Sequence, residues 1–228
     1  MSISRRHFLG QTAAVAALPL MPASTITSPQ AIVKPKRMGA GQTVGVISPA
    51  SATHDRADVG VIEDTMAALG LKTVFGPNAF ARYGYLGGTD EQRAADVHWA
   101  FSNPDIDVVL AFRGGWGCNR LLPLLDYGLI AQNPKPLLGY SDITGLLVGL
   151  YAKAGLVSFH GPPGMSTWNT FTVDYVRRVL FEAEAVHFAN PTDPGDRLAR
   201  AKDRTVTLMP GKARGRLIAE STVRLPPM

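Results

Sequence analysis

Cysteine is nearly absent: Cys118 alone occurs in 228 residues. That excludes an internal disulfide framework, any multi-cysteine metal site and cofactor chemistry through sulfur. Charge is also sparse, at 18% of residues against 46% hydrophobic, and the mean hydropathy is +0.05. A disordered polyelectrolyte would carry more charge and a multi-span membrane protein more apolar length, which leaves a globular enzyme or binding domain. An excess of one sign is lacking too. The 23 Lys and Arg against 18 Asp and Glu leave a net +5, scattered and without the basic-aromatic interleaving that stacks bases, so no nucleic acid is expected as a partner. The short basic run Lys34-Pro35-Lys36-Arg37 reads as a solvated linker. Glycine (23) and proline (17) are plentiful, enough for many tight loops but without the period of collagen, so function is expected on loops. The length suits one domain plus extras, roughly one and a half on the usual prior.

The N-terminus reads Ser4-Arg5-Arg6-His7-Phe8-Leu9, then the apolar Ala13–Leu20 stretch, then Pro22-Ala23-Ser24. A positive start, an apolar core too short to span a bilayer and a small-residue end resemble a twin-arginine export signal. Residues 1–30 are therefore expected to be a signal peptide, carried by the twin-arginine translocase to the periplasm. Residues 31–42 are expected to be a linker. Removal of the signal would take away Arg5 and Arg6 and bring the net charge to about +3.

The body alternates strand and helix. Thr43–Ile47 is β-rich and ends in the loop signature Ser48-Pro49-Ala50-Ser51. Val59, Ile62, Met66 and Leu69 fall at helical spacing before Gly70, and Leu71–Phe75 reads as the next strand. Thr89 with Gln92 forms a capping-box pattern opening a helix to Ser102, stopped by Asn103-Pro104. Asp107–Phe112 is a nearly continuous apolar strand of the kind a parallel sheet buries on both faces. Pro136–Gly139 is a shorter strand, Asp142–Ala154 a helix and Leu156–Phe159 a returning strand. This order predicts an α/β fold, a doubly wound, mostly parallel sheet over residues 43–200 whose site lies at the carboxyl ends of the strands.

Three consecutive strand ends gather unusual residues: Arg113-Gly114-Gly115-Trp116-Gly117, Gly139-Tyr140-Ser141-Asp142 and His160-Gly161-Pro162. Ser141 stands between a strand and a helix, where helix N-terminal N–H groups favour developing negative charge. The pattern is Gly-x-Ser-x-Ile, not the Gly-x-Ser-x-Gly of a nucleophile elbow, so a plain serine N-cap is the competing reading. The glycine loop lacks dinucleotide and P-loop spacing but could offer bare amides to an oxyanion. Cys118 reads as a small buried residue, and His160 as a loop histidine held by neighbouring backbone.

Taken jointly, the motifs resemble one family. Val44–Ser51, Gly84–Asp90 with Arg93 and Asp96, Arg113–Gly117 with Arg120-Leu121-Leu122, Asn133-Pro134-Lys135, Gly139–Thr144 and His160-Gly161-Pro162 are similar in order and spacing to the LD-carboxypeptidases, serine peptidases that remove the terminal D-alanine from peptidoglycan tetrapeptides. A sister branch resembles microcin self-immunity proteins, which cleave peptide-nucleotide amides. The resemblance implies Ser141 as nucleophile, the backbone N–H groups of Gly114 and Asp142 as oxyanion hole, and Arg113, Gly115, Trp116 and His160 as substrate contacts. It implies a muropeptide or other small peptide substrate, a homodimer, and neither metal nor cofactor. It also implies a second domain carrying the triad glutamate and histidine beyond a Gly-Gly-Asn stretch. Here Gly215-Arg216-Leu217-Ile218 is followed by Ala219-Glu220-Ser221; Glu220 does not fit that glutamate, and 201–228 reads as the truncated start of that domain. Impaired catalysis is the expectation, with a noncatalytic muropeptide-binding module as the alternative.

Overall fold

The computed structural model describes residues 31–53 and 57–189. The export signal and the 201–228 stretch lie outside the described residues, as does the end of the domain expected over 43–200. Five strands, β1 (Thr43–Ile47), β2 (Lys72–Phe75), β3 (Val108–Ala111), β4 (Leu137–Gly139) and β5 (Phe159–His160), form one sheet in the order β2-β1-β3-β4-β5. Every neighbouring pair is parallel. Helices α1 (Ala57–Ala68), α2 (Asp90–Ser102), α3 (Tyr127–Gln132), α4 (Ile143–Ala154) and α5 (Thr170–Val176) connect and cover them, and α5 runs into a π turn, Arg177–Phe181. The fold is the doubly wound α/β arrangement the alternation predicts, and the strand order reverses between β1 and β3.

Side-chain alternation along the strands builds two cores. On β3, Val108 and Leu110 face the layer holding Ile62 and Met66 of α1, Leu69 just beyond it and Val176 of α5. Val109 and Ala111 face Val97 and Phe101 of α2 and Leu146 and Leu150 of α4. All four β3 residues are at most 1% exposed, which is why this strand reads as an unbroken apolar run instead of an alternating one. Each such Val or Leu contributes about 1.5–3 kcal/mol on burial.

Helix α2 starts where its cap chemistry places it. Thr89 Oγ1 accepts the Gln92 N–H at 3.3 Å and the Gln92 side chain accepts the Thr89 N–H at 2.9 Å. Removing the hydroxyl in Thr89→Ala is expected to cost about 1 kcal/mol, read as a fall in chemical-denaturation midpoint with an unchanged slope. At the other end, the buried Lys135 ammonium donates to the carbonyls of Ala100 (2.8 Å) and Asn103 (2.6 Å), closing the helix from across the fold.

Two expectations are corrected. The strand expected at Leu156–Phe159 begins three residues later and ends one later, as Phe159–His160. Leu156 instead makes a single bridge to Val33 and buries its side chain fully. The stretch read as a linker is pinned on both sides of its basic run: Val33 exchanges hydrogen bonds with Gly155 and Val157, and Met38 N–H donates to Leu180 O at 2.8 Å. Helix α3 and two 3-10 turns, Cys118–Arg120 and Leu122–Leu124, were not legible in the sequence pattern because none exceeds six residues.

Candidate active site

Because β3, β4 and β5 are adjacent, their three loops open side by side at the carboxyl edge of the sheet. Ser141 follows β4 with φ 60, one of two non-glycine residues with positive φ among those described. The helical cap position falls to Asp142, whose side chain caps nothing. Ser141 is therefore not the N-cap that local sequence allows; it is held in a left-handed turn that costs an L-residue about 1–2 kcal/mol, with its side chain exposed. Strand-to-helix turns of this kind lift a hydroxyl clear of the sheet.

Two residues away, Gly139 explains the departure from the Gly-x-Ser-x-Gly pattern. A Cβ at Gly139 would lie 2.6 Å from Ile143 Cγ2. Ile143, fully buried, fills the space over the bare strand, so close strand-to-helix packing is achieved with the glycine before the serine and the bulky residue after it.

The glycine loop reaches this turn directly. A Cβ at Gly114 would stand 3.0 Å from Ser141 Cβ and 3.3 Å from Ser141 Oγ. Neither the Gly114 nor the Asp142 N–H donates to another group among the described residues. Asp142 fastens the two loops together, its Oδ2 accepting the Cys118 N–H at 2.9 Å. Cys118 is fully buried, and burial together with the Asp142 carboxylate pushes its thiol far above the ordinary range. It packs as the small apolar residue expected and is no thiolate nucleophile.

Arg93 ties this loop to the one after β1. Its guanidinium is 1% exposed and donates from Nη1 to Pro49 O at 2.7 Å and Gly117 O at 3.0 Å. Nη2 pairs with Asp90, which Arg120 also grips at 2.7 Å. Sequence reading placed Arg93 in a motif without a role; the local signal was its position three residues after Asp90 at the capped start of α2. Gly115 has φ 135, and a Cβ there would overlap Ser51 Oγ, a buried hydroxyl without a partner. Gly115→Ala is expected to destabilise by about 2 kcal/mol through overpacking and left-handed strain, a fall of roughly 4–8 °C in Tm.

The remaining candidates are placed less closely. Trp116 is exposed at 58% on the rim of the loop. Arg113 is half-buried and makes no ion pair among the described residues. His160 is exposed at the end of β5, its ring 6.2 Å from that of Tyr140. It was expected to be held by backbone; it rests on a ring instead, because it ends a strand and does not lie inside a loop. Among the described residues no imidazole or carboxylate hydrogen-bonds Ser141 Oγ: His98 is engaged with Asp126 N–H at 2.8 Å and Asp142 with Cys118. No group of three His, Cys, Asp or Glu among the described residues could hold a metal ion. No helix among them is long and apolar enough to cross a membrane.

Residues 44–161 match the model of the LD-carboxypeptidase N-terminal domain. The chain is 34% identical over 191 residues to the probable murein peptide carboxypeptidase of Bacillus subtilis, covering 81% of this chain and 56% of that protein. It is 46% identical over 123 residues to the murein tetrapeptide carboxypeptidase of Pseudomonas aeruginosa, covering 52% and 38%. The solved structure of the MccF-like protein from Bacillus anthracis is similar with a TM-score of 0.62 at 32% identity, covering 65% of this chain and 47% of that one. The chain thus spans at most about three-fifths of these relatives' length. Since the matched span runs from β1 through β5 and holds both the Ser141 turn and the glycine loop beside it, the chain belongs to the LD-carboxypeptidase family.

Proposed function

We propose that this chain carries the nucleophile-bearing domain of an exported serine carboxypeptidase that releases D-alanine from peptidoglycan tetrapeptides. The observation that carries the reading is the left-handed Ser141 with its exposed hydroxyl set against Gly114. In this reading Ser141 Oγ attacks the carbonyl carbon of the L-to-D amide. The Gly114 and Asp142 N–H groups, which have no other acceptor, hold the oxyanion. The tetrahedral intermediate expels D-alanine as its amine takes a proton, and water then attacks the acyl-serine ester, restoring the hydroxyl. Arg113, Gly115, Trp116 and His160 line the approach as substrate contacts, and the periplasm is the compartment where such a substrate is met. A proton acceptor for Ser141 is absent among the described residues, and a serine lacking one is a poor nucleophile at neutral pH. Turnover by this chain alone is therefore expected to be slow.

A second reading is an amide hydrolase of the microcin-immunity type, favoured by the likeness to the Microcin C7 self-immunity protein MccF of Escherichia coli, 40% identical over 129 residues. The murein reading is preferred because its Bacillus subtilis relative aligns over 81% of the chain, against 55% for MccF. Incubating the purified protein with a peptidoglycan tetrapeptide and following D-alanine by mass spectrometry tests the proposal. Release that disappears in Ser141→Ala supports it, and release that survives the substitution removes Ser141 from the chemistry. Binding of the tetrapeptide without any release would leave the noncatalytic module as the better account.

A further inference from the structure

The run Lys34-Pro35-Lys36-Arg37 is the densest cluster of positive charge in the described part of the chain, and it is not a free linker. Val33 is bonded to Gly155 and Val157 on one side of it and Met38 to Leu180 on the other, so the four residues are stretched across a gap beside the sheet edge. Beneath them lies a cavity of about 280 Å³. The rest of its lining is apolar: Pro136 and Val157 before β4 and β5, Phe159 of β5, Val179 and Leu180 of the π turn, and Ala183 two residues beyond it. The volume is just under the roughly 300–1,000 Å³ of small-molecule sites, enough for a compact ligand.

Three features distinguish this cavity from a packing defect. The Lys36 and Arg37 side chains are exposed on its rim and have no acid within ion-pair distance among the described residues. The nearby Glu184 is already taken by Arg178 at 2.7 Å. Part of the lining has unfavourable backbone, a π turn at Arg177–Phe181 and Ala183 at φ 53, conformations that persist when the surrounding structure over-determines them. Pro136 and Val157 precede β4 and β5, whereas Ser141 follows β4, so the cavity opens toward the end of the sheet away from the candidate active site.

We propose that this cavity is a second binding site, for a small soluble molecule with one anionic group on an apolar body, such as an aryl or short acyl phosphate or carboxylate. The apolar body would fill the space between Phe159, Val157 and Leu180, and the anion would meet Lys36 and Arg37 at the rim, where a charge-assisted contact keeps part of its hydration. A concave site under a pinned strand suits a free molecule better than a bilayer, which needs protruding apolar groups and not a recess.

The inference is independent of the peptidase reading. Its probe is 1-naphthyl phosphate, titrated by fluorescence against the full chain, with 1-naphthol and inorganic phosphate as the two halves. Binding at least tenfold tighter than either half is expected. The double variant Lys36→Glu/Arg37→Glu, which changes exposed side chains only, should lose at least tenfold. Ala183→Trp, which fills the cavity from its exposed rim, should lose the same, with an unchanged circular dichroism spectrum in both. The proposal is overturned by equal affinity for 1-naphthol, by indifference to both variants, by no binding up to millimolar probe, or by capture on vesicles of phosphatidylglycerol with no affinity for the soluble probe.

Discussion

Replacing Arg93 by methionine is expected to lower stability by about 3 kcal/mol, because two buried carbonyls lose a charge-assisted donor at once and the Asp90 carboxylate loses an ion-pair partner. Those carbonyls belong to Pro49 and Gly117, in the loops after β1 and β3, and each keeps only a longer contact without Arg93: Cys118 Sγ to Pro49 O at 3.5 Å and the Arg120 N–H to Gly117 O at 3.2 Å. For a chain of this size the loss corresponds to roughly 6–12 °C in Tm, readable by calorimetry. Lysine should restore less than half, since one ammonium cannot span two carbonyls and the Asp90 carboxylate as the planar guanidinium does. The Arg120 hydrogen bond, with the charges of Arg93 and Arg120, holds the Asp90 carboxyl below its ordinary range. A carboxyl so depressed contributes stability that is present above its unfolded-state value and is lost as the pH falls through its folded-state value. Arg93→Met should therefore also show a shallower decline of stability on acidification than the parent chain. A Tm within 2 °C of the parent would mean that the two loops are held by other contacts, and that Arg93 does not position the glycine loop.

Ser141→Gly is expected to raise stability and remove acyl transfer together. Glycine adopts φ 60 without the crowding that an L-residue meets there, worth about 1–2 kcal/mol, offset in part by about 0.5–1 kcal/mol of extra chain entropy in the unfolded state. The net gain should be up to about 1 kcal/mol, or roughly 2–4 °C. Ser141→Ala, which keeps the Cβ, should show none of it. Both variants should reduce the already slow D-alanine release to the uncatalysed background, since no acyl-serine can form without the hydroxyl. The pair separates two properties of one residue: the Tm difference between glycine and alanine reports the left-handed backbone, and their shared inactivity reports the hydroxyl. Equal melting temperatures would show that the turn at Ser141 is not strained.

The alanine test at Gly115 and the two variants above probe one arrangement. Arg93 holds Gly117, Asp142 holds Cys118, and with its far end so anchored the loop lays Gly114 on Ser141. The bare amides depend on two side chains, those of Arg93 and Asp142, that have no contact with the substrate in the proposed reaction. A loop rich in glycine would otherwise sample many conformations, and preorganised donors stabilise a developing oxyanion more than mobile ones do.

Local chemistry was enough for much of this fold. The capping box at Thr89 and Gln92, the helical spacing from Val59 to Leu69 and the apolar run through β3 all act over a few residues. These three elements are present with their ends shifted by at most two residues. The burial of Cys118 and the gathering of three strand ends followed from the same patterns. Other features depended on partners distant in the chain. The choice between a cap and a left-handed turn at Ser141 is decided by Ile143 closing over Gly139 and by Gly114 arriving from another loop, and no short window contains all three. The basic run became a cavity wall because Val33 pairs with the segment around Leu156, on the far side of the domain. Sequence periodicity records which side chains must be buried, while the direction in which a polar group is left free depends on which strands and loops meet, and that is settled only when the sheet assembles.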